Sequence, residues 1–504
     1  MVTLLILDGY GESKEKKGNA IFGNSKRIEN LKKRFPNCLL QASGEDVGLV
    51  EGQMGNSETG HLNLGSGRVV FQDLARINNA IKTGEFKKNE VLKNAVIHAK
   101  ENKSKIHVMG LLSNGGVHST INHAKELILT LKKNGAKEIC FHAFLDGRDT
   151  QYNSGISFFK EMEEFLEKEK IGKIVSVSGR VFAMDREQRF ERIQKVYNML
   201  TGVSVEGYQE KQNLAHEIEN NYKKEVFDEF MPPIKLKNSA NIERGDVVIS
   251  FNFRTDRMRE LVFALSQKKF KEFERKKLEN LFVATMTEYD KTFKDINVVF
   301  KPQKIKNCLS EVLSKNNKKQ FRVAETTKYA HITFFFNGGI EKAFEGEERV
   351  LIDSINVQDF SSVPKMRAGE ITQNAVSAIR SKKYDFVLIN LSNADMIGHT
   401  GNFNATKKAI KYVNKCADVI VKETLKAGGE AIVTADHGNA EQMLNGKEKH
   451  TAHTTNPVTF ILASNKNKNV KLKNGKLANV SPTILDLLEI EKPKEMTESS
   501  LIVE

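Results

Sequence analysis

Short apolar runs alternate with amphipathic segments along most of this chain. The amphipathic segments, such as Ala124–Lys133, Gly155–Lys168 and Thr406–Lys426, have apolar residues at helical spacing. Fully apolar strands separated by helices predict an α/β fold with largely parallel sheets. The predicted strands are Val2–Leu7, Ile106–Gly110, Ile139–Leu145, Ile174–Val177, Asp246–Phe251, Leu281–Met286, Phe386–Leu391 and Ala431–Thr434.

Three acidic residues indicate how these strands are grouped. Asp8 ends the first predicted strand, and Asp395 and Asp436 follow the last two. Functional sites of parallel α/β sheets lie beyond the carboxyl ends of the strands, so we expect the three acids to meet in one sheet. The residues between them then form an inserted domain, which a length of 504 residues also favours. We predict a first domain of residues 1–72 and 305–504 and a second of residues 73–304.

The composition is typical of a folded protein in a reducing compartment. Apolar residues make up 39% of the chain and charged residues 28%. The four cysteines lie far apart and form no CxxC pair, which argues against disulfides and a thiolate zinc site. The apolar run in MVTLLILDGYG is too short for a secretion signal, and no apolar stretch approaches the length of a membrane span. We therefore expect a soluble, cytoplasmic protein.

The basic charge has an ordinary explanation. The chain has 78 basic and 64 acidic residues, a net charge of +14. Most of the excess is lysine spread along predicted helices, which we interpret as a solvated surface. No run of five basic residues occurs, and no basic stretch is interleaved with aromatic residues as in single-strand binders. We expect neither a nucleic-acid partner nor a membrane partner.

Acidic and imidazole side chains recur near the predicted strand ends. Carboxylates with neutral imidazoles suit Mn²⁺, Zn²⁺ or Co²⁺, whereas Ca²⁺ and Mg²⁺ prefer oxygen ligands alone. Asp395 and His399 are one helical turn apart, and the adjacent Asp436 and His437 should leave their strand in different directions. Each motif alone is more often a turn acid or a core histidine. Together they predict a site for two metal ions, with the candidate ligands Asp8, Asp395, His399, Asp436, His437 and His453.

One serine is placed as a nucleophile would be. In GQMGNSETGHLNLGSGR, Ser57 lies at the predicted N-terminus of a helix, where backbone N–H groups and the helix dipole bind phosphoryl groups. A serine hydroxyl needs a base or a metal to lower its pKa, and metal ions would do this here. On local sequence alone, an ordinary N-cap serine is the better interpretation.

Several arginines occur in motifs that also contain Gly or Asp. Guanidinium groups match carboxylate and phosphate oxygens in bidentate fashion, so their repeated placement near strand ends favours a pocket for a polyanion. Singly, each is more often part of a surface ion pair of little energetic value. Lys328 is a further candidate beside a phosphoryl group, although a buried lysine at a strand edge is the alternative. The candidates in the second domain are His118, Arg148, Asp149, Arg180, Arg186, Arg254 and Arg257.

These motifs, in this order, resemble the cofactor-independent (2,3-bisphosphoglycerate-independent) phosphoglycerate mutases of the alkaline phosphatase superfamily. The resemblance extends nearly from end to end and includes LILDGYG, MGNSETGHLNLGSGR, SNGGVHS, AFLDGRDT, GRVFAMDR, FNFRTDR, ETTKYAHITFFFNGG, NADMIGHTGN, TADHGNAE and HTAHTTNPV. It implies an α/β fold with an alkaline-phosphatase-like three-layer domain and an inserted second α/β domain. It also implies a monomer that acts in glycolysis and gluconeogenesis on phosphoglycerate.

The resemblance implies a role for each candidate residue. Ser57 becomes the phosphorylated nucleophile, and two metal ions, usually Mn²⁺, are bound. One ion takes Asp395, His399 and His453, which the family pattern selects over His450, and the other takes Asp8, Ser57, Asp436 and His437. Arg254, Arg257 and Lys328 meet the phosphoryl group, whereas the glycerate is surrounded by His118, Arg148, Asp149, Arg180 and Arg186.

The chain departs from the family pattern at a few positions. Thr327 precedes Lys328 where the family often has Glu, which leaves open what a carboxylate would do there. Asn114, Thr120 and Thr255 also differ from the usual motifs, but no predicted ligand, nucleophile or arginine is lost.

The expected reaction is a ping-pong transfer through phosphorylated Ser57 that interconverts 3-phosphoglycerate and 2-phosphoglycerate, with Asp149 as a proton shuttle. Closure of the second domain on the first should keep water from the phosphoserine. A phosphopentomutase or a hydrolase of the same superfamily is the nearest alternative. It would not need Arg148, Arg180 and Arg186 for a substrate carboxylate. A basic nucleic-acid-binding protein on the same fold is the alternative from another class, and it would leave the metal ligands without use.

Overall fold

The computed structural model describes residues 1–203 and 206–503. Tertiary contacts divide the chain into two compact units. Unit 1 comprises Met1–Gln72 and Lys304–Glu504, and unit 2 comprises Asp73–Gln303. Each unit contains one eight-stranded sheet with helices packed on it, so the α/β prediction is confirmed.

The strands of the described residues are β1 (Val2–Leu7), β2 (Asn37–Gln41), β3 (Ile106–Leu111), β4 (Ile139–Leu145), β5 (Gly172–Gly179), β6 (Gln209–Lys211), β7 (Ile234–Leu236), β8 (Val247–Ser250), β9 (Phe282–Thr287), β10 (Ile296–Phe300), β11 (Gln320–Glu325), β12 (Glu347–Ile352), β13 (Phe386–Leu391), β14 (Glu430–Thr434), β15 (Leu444–Asn445), β16 (Glu448–Lys449), β17 (Val458–Ala463), β18 (Lys471–Leu472), β19 (Gly475–Lys476) and β20 (Ile502–Val503).

The α-helices are α1 (Lys26–Arg34), α2 (Ser57–Ser66), α3 (Asp73–Lys82), α4 (Glu90–Asn102), α5 (Ile121–Lys133), α6 (Gly155–Glu169), α7 (Arg180–Ala183), α8 (Phe190–Thr201), α9 (Leu214–Tyr222), α10 (Arg259–Ser266), α11 (Leu309–Lys315), α12 (Thr326–Ala330), α13 (Ala368–Ser381), α14 (Asn393–Gly398), α15 (Phe403–Lys426) and α16 (Val480–Leu487). A π-helical turn, His331–Phe335, continues α12, and short 3₁₀ turns occur at Gly44–Val47, Phe86–Lys88, Asp228–Phe230, Phe360–Ser362 and Leu477–Asn479.

The sheet of unit 1 has the order β12-β11-β13-β1-β14-β17-β2-β19. The five strands from β12 to β14 are parallel, whereas β17 runs antiparallel to both of its neighbours. All residues of β1, β13 and β14 are buried, because helices cover both faces of the sheet. Helices α1, α13 and α15 pack together, and α2, α11 and α16 form a second group. This is the three-layer arrangement expected for buried parallel strands.

The sheet of unit 2 has the order β10-β9-β8-β3-β4-β5-β7-β6, and only the pair of β5 and β7 is antiparallel. Alternate residues of β3 belong to two separate apolar clusters. Ile106 and Val108 pack with α4, α5 and α6, whereas Met109 and Leu111 pack with α8 and α10. Side chains of successive strand residues point to opposite faces, so both faces of this sheet are covered as well.

The predicted elements differ from the observed ones mainly at their ends. Helix α5 begins at Ile121 because the Thr120 side chain caps it by accepting a hydrogen bond from the His123 N–H, 3.2 Å away. The antiparallel β17 and its neighbour β2 were not among the predicted strands. No helix within residues 1–203 and 206–503 combines the length and apolarity needed to cross a bilayer.

Candidate active site

The topology of unit 1 brings the three predicted acids together. Strand β1 lies between β13 and β14, so the carboxyl ends of these three parallel strands are adjacent. Asp8 follows β1, Asp436 follows β14 by two residues, and Asp395 lies in α14 after β13. All three side chains are buried. The predicted convergence of acids from the two ends of the chain is therefore present in the fold.

Asp395, His399 and His453 form the first group of possible metal ligands. The Nε2 atoms of the two histidines lie 3.0 Å apart, and they are 3.1 Å and 3.2 Å from Asp395 Oδ1. Their Nδ1 atoms lie 2.7 Å and 2.8 Å from the carbonyl oxygens of Thr451 and Gly55. A carbonyl only accepts, so each Nδ1 carries a hydrogen, and in the neutral form of each ring an Nε2 lone pair faces the carboxylate. Three converging lone pairs fit a divalent cation.

Asp8, Ser57, Asp436 and His437 form the second group. His437 Nε2 lies 2.9 Å from Ser57 Oγ, 3.5 Å from Asp8 Oδ1 and 3.4 Å from Asp436 Oδ2. Asp436 Oδ2 is buried without a hydrogen-bond partner, as a ligand atom would be without its ion. The adjacent Asp436 and His437 are also joined directly, because the His437 N–H donates to Asp436 Oδ1, 3.1 Å away.

Lys328 lies between the two groups. Its Nζ donates to Asp8 Oδ1 at 2.7 Å, to Ser57 Oγ at 2.6 Å and to Asp395 Oδ2 at 2.8 Å. Lys328 lies in α12 after β11, so the alternative of a lysine at a strand edge is wrong. The neighbouring Thr327 hydroxyl, where the family often has Glu, is buried without a partner.

The charges of this cluster are unbalanced. Burial lowers the pKa of Lys328, but Asp8, Asp395 and Asp436 outweigh it and raise the pKa above its ordinary value. Burial raises the pKa of Asp8, the charge of Asp436 adds to this, and Lys328 does not compensate. Burial has the same tendency at Asp395, but the charge of Lys328 outweighs it and holds the pKa of Asp395 well below the usual range. Three carboxylates share one ammonium group, so further positive charge would be stabilised here.

Ser57 is the first residue of α2, and its neighbour Asn56 is the N-cap. The Asn56 side chain accepts a hydrogen bond from the Thr59 N–H at 2.9 Å. Because Asn56 fills that role, the interpretation of Ser57 as an ordinary N-cap serine is wrong. The buried Ser57 hydroxyl contacts Lys328, His437 and Asp8 instead.

Two residues of this site were missed by sequence reasoning. Asn390 Nδ2 donates to Asp8 Oδ2 at 2.8 Å and lies 3.0 Å from His61 Nε2. His61 Nδ1 lies 2.9 Å from the Ser57 carbonyl oxygen and 3.2 Å from Asp436 Oδ2. A single amide residue in the otherwise apolar strand β13 was a signal for Asn390, and the spacing of four residues from Ser57 along α2 was one for His61.

Other combinations of ligands are also close. Asp8, His61 and Asp436 have ligand atoms within 4.8 Å of one another, and so do Asp395, His437 and His453. Both nitrogens of His61 already have hydrogen-bond partners, the Ser57 carbonyl and the Asn390 amide. His437 Nε2 faces the proposed ligand Ser57 Oγ instead, so we prefer His437 to His61 as the imidazole of the second group.

The predicted residues of unit 2 gather around Asp146, at the carboxyl end of β4. Asp146 Oδ1 accepts hydrogen bonds from the Asp149 N–H at 2.9 Å and from Arg180 at 2.5 Å, and Oδ2 accepts one from the Ser113 hydroxyl at 2.7 Å. Burial raises the pKa of Asp146, but these hydrogen bonds and the Arg180 charge outweigh it and lower the pKa. Asp146 was not a predicted site residue, although its position at a strand end was a signal.

Arg180 connects three residues of this group. It donates to Asp146 and, at 2.6 Å, to Asp149 Oδ2, and its other terminal nitrogen lies 3.0 Å from His118 Nε2. Burial, followed by the charge of Arg180, lowers the pKa of His118 to about 4. His118 is therefore neutral at pH 7, with Nε2 as a hydrogen-bond acceptor.

The remaining arginines of unit 2 have weaker or more exposed partners. Asp256, also missed by sequence reasoning, lies 2.7 Å from an Arg186 nitrogen and 3.1 Å from Arg254 Nε. Arg257 donates to the Met184 carbonyl at 3.3 Å, and Arg148 lies 3.4 Å from Glu229. The side chains of Arg148, Arg186 and Arg254 are 56%, 45% and 46% exposed, respectively.

A mostly parallel sheet with a serine, three aspartates and three histidines at its carboxyl edge defines an α/β protein with a buried cluster of candidate metal ligands. Residues 77–291 match the family model described as the BPG-independent PGAM N-terminus. The chain is 47% identical to a 2,3-bisphosphoglycerate-independent phosphoglycerate mutase of Clostridium botulinum and 46% identical to one of Clostridioides difficile, over 99% of each chain. It therefore belongs to the family of 2,3-bisphosphoglycerate-independent phosphoglycerate mutases.

A solved structure agrees with this assignment. Leishmania mexicana phosphoglycerate mutase, crystallised at low cobalt concentration, is 30% identical and has a TM-score of 0.58. The match covers 100% of the present chain and 97% of the Leishmania chain. The fold is thus shared over the whole length of the protein.

Proposed function

We propose that this protein interconverts 3-phosphoglycerate and 2-phosphoglycerate without added 2,3-bisphosphoglycerate, through a phosphorylated Ser57. The observation that supports this most directly is the position of Ser57 Oγ, 2.6 Å from Lys328 Nζ and 2.9 Å from His437 Nε2 in a buried acidic cluster. A serine with these neighbours is arranged for phosphoryl transfer.

Two divalent cations, Mn²⁺ by family resemblance, complete the proposed site. Asp395, His399 and His453 would hold one ion, and Asp8, Ser57, Asp436 and His437 would hold the other. When bound, such ions lower the pKa of a serine hydroxyl and neutralise charge on phosphoryl oxygens. The converging Nε2 lone pairs and the unpartnered Asp436 Oδ2 support this assignment.

Ser57, Asp149 and Lys328 have separate roles in the proposed reaction. The Ser57 oxygen attacks the phosphorus of 3-phosphoglycerate, so that an Oγ–P bond forms as the bond from phosphorus to the 3-oxygen breaks. In this first half the proton lost by the Ser57 hydroxyl ends on the 3-oxygen, and in the second half the proton of the 2-hydroxyl replaces the one that Ser57 lost, with Asp149 as the proton shuttle at the glycerate hydroxyls. The 2-oxygen attacks the phosphoserine, which releases Ser57 and gives 2-phosphoglycerate. Lys328 stabilises the negative charge beside the serine oxygen throughout.

The residues around Asp146 in unit 2 are proposed to bind the substrate. His118, Arg148, Asp149, Arg180 and Arg186 would hold the glycerate, and Arg254 and Arg257 would meet the phosphoryl group with Lys328. Each guanidinium already has a carboxylate or carbonyl partner, which a substrate oxygen can replace. In this assignment unit 1 performs the phosphoryl transfer and unit 2 recognises the glycerate.

Turnover of 3-phosphoglycerate by the purified chain tests the proposal. We expect 2-phosphoglycerate to form with Mn²⁺ and without 2,3-bisphosphoglycerate. A chelator should abolish the activity, and excess Mn²⁺ should restore it. Release of inorganic phosphate instead of 2-phosphoglycerate would identify a hydrolase, and activity that survives complete removal of metal would contradict the metal assignment.

A further inference from the structure

Glu441 is a buried carboxylate with four hydrogen-bond donors around it. Its residue exposure is 1%. Oε2 accepts from the Gly11 N–H at 3.0 Å and from the Asn439 N–H at 2.8 Å. Oε1 accepts from the Thr454 hydroxyl and, at 3.0 Å, from the Asn456 amide. All four acceptor positions of the carboxylate are thus in use.

The four donors belong to three segments that each bear proposed metal ligands. Gly11 follows Asp8 by three residues, and Thr454 follows His453 directly. Asn439 and Glu441 itself follow His437 within four residues. One carboxylate therefore joins the loop after β1, the loop after β14 and the loop before β17.

A fourth segment is connected through Asn439. Its backbone N–H is held by Glu441, and its side-chain amide donates to Asp395 Oδ1 at 3.1 Å. Asp395 Oδ1 is the oxygen that faces the two Nε2 atoms of the first metal group. A movement of Glu441 would therefore displace a ligand atom that Glu441 does not touch.

The backbone around Glu441 leaves no space for other side chains. A Cβ atom at Gly11 or at Gly438 would overlap the Glu441 carboxylate. Gly11 and Gly438 also form isolated β-bridges, with Val458 and Thr454 respectively. The loops thus approach each other closely and are fixed around this one side chain.

We propose that Glu441 is a positioning residue that sets the affinity of the site for divalent cations. The inference rests on the metal assignment made above for the proposed function. Glu441 acts by holding the segments of Asp8, Asp436, His437 and His453 at fixed separations, and by orienting Asn439 against Asp395. Outer hydrogen-bond partners of this kind typically change metal affinity by 10- to 100-fold when they are replaced.

Replacement by glutamine tests the role of the carboxylate. Glutamine has the same shape, but its NH₂ group would face two donors, so about half of the hydrogen bonds are lost. We expect Glu441→Gln to weaken Mn²⁺ binding roughly 10- to 100-fold in calorimetric titration of the metal-free protein. Thr454→Val removes one donor and should cause a smaller loss of affinity in the same direction.

Glu430→Gln is the matched control. Glu430 is also a buried carboxylate of unit 1, and it accepts from Ser464 Oγ at 2.6 Å and from Asn467 Nδ2 at 2.8 Å. It lies at the opposite end of β14 from Asp436, so its replacement should lower the melting temperature without changing the Mn²⁺ affinity.

The outcomes separate this inference from the proposed function. An unchanged Mn²⁺ affinity in folded Glu441→Gln protein would overturn the positioning role while leaving the metal site intact. If Glu441→Gln does not fold, the same conclusion follows from an unchanged affinity in Thr454→Val. Wild-type protein that binds no Mn²⁺, Zn²⁺ or Co²⁺ would instead overturn the metal assignment, and this inference with it.

Discussion

The candidate metal site of unit 1 and the arginine cluster of unit 2 differ in their balance of charge. In unit 1, Asp8, Asp395 and Asp436 share the single ammonium group of Lys328. In unit 2, most of the candidate arginines are matched by acids. Asp146 and Asp149 pair with Arg180, Asp256 pairs with Arg186 and Arg254, and Glu229 pairs with Arg148. The first cluster lacks positive charge, whereas the second has carboxylates that a substrate can replace.

This difference in charge indicates how strongly each cluster should bind its ligand. A cation that enters unit 1 adds charge where charge is missing, so binding should be strong and should depend on few residues. An anion that enters unit 2 competes with acids that are already paired, so it gains only the difference between two sets of ion pairs. We therefore expect large effects from changes in unit 1 and graded effects from changes in unit 2.

The strongest test of the comparison is Ser57→Ala. Without the nucleophile, mutase turnover should fall by roughly 10⁴-fold or more, because no other hydroxyl can form the phosphoenzyme. The measurement is 2-phosphoglycerate formation under saturating substrate and Mn²⁺. Ser66→Ala in the same helix is the control, since the Ser66 hydroxyl is buried and donates to the Leu62 carbonyl. Turnover by Ser57→Ala within tenfold of wild type would end the proposal of a phosphoserine.

A graded effect is expected from Arg148→Gln in unit 2. This half-exposed arginine is proposed to bind the glycerate, and a lost charge-assisted hydrogen bond should raise KM roughly 10- to 100-fold. The affinity for Mn²⁺, measured by calorimetry, should stay the same. Arg244→Gln is the control, because Arg244 is 78% exposed and precedes β8, at the other end of the sheet. A change in Mn²⁺ affinity in Arg148→Gln would contradict the division of roles between the units.

The smallest expected effect is a loss of stability of unit 2 at low pH, caused by the buried His123. Burial lowers the pKa of His123 from 6.5 to about 4. The unfolded chain therefore binds a proton at this histidine more readily than the folded chain does. The contribution to the stability of the fold is fully present above pH 6.5, and it decreases as the pH falls towards 4. One such group accounts for about 2 kcal/mol between pH 7 and pH 5. Hydrogen exchange of α5 peptides in urea should have a weaker pH dependence in His123→Gln than in wild type.

The exposed His216 provides the control for this last prediction. Its replacement by glutamine should leave the pH dependence unchanged, because folding does not bury this side chain. An equal pH dependence in wild type and His123→Gln would show that another group causes the acid sensitivity.

The sequence was sufficient for the central strands of unit 1 and for the three acids that meet at their carboxyl ends. Apolar runs followed by an acid predicted β1, β4 and β13, because fully buried parallel strands have few other compositions. The same rule predicted that Asp8, Asp395 and Asp436 would meet. It did not predict β2, β11, β12 and β17. Charged residues interrupt the apolar pattern of β11 and β12, and the antiparallel pair of β2 and β17 depends on packing partners that are distant in the chain.

Residues that hold other side chains in place were harder to predict from the sequence than the candidate ligands. Asn390, His61, Asp146 and Glu441 have roles that depend on which donors and acceptors face them, and spacing along the chain contains no such information. The sequence indicated which kinds of side chain the site contains, whereas their hydrogen-bond partners could be identified only in the folded structure.

The place of β1 in its sheet has a consequence for biosynthesis. Val2 pairs with Phe386 on one side and with Glu430 on the other, so this strand leaves the ribosome long before either of its neighbours has been made. At typical translation rates this interval is roughly 20 to 80 s. The nascent chain therefore has no assembled centre for phosphoryl transfer, and interrupted synthesis yields fragments that lack it.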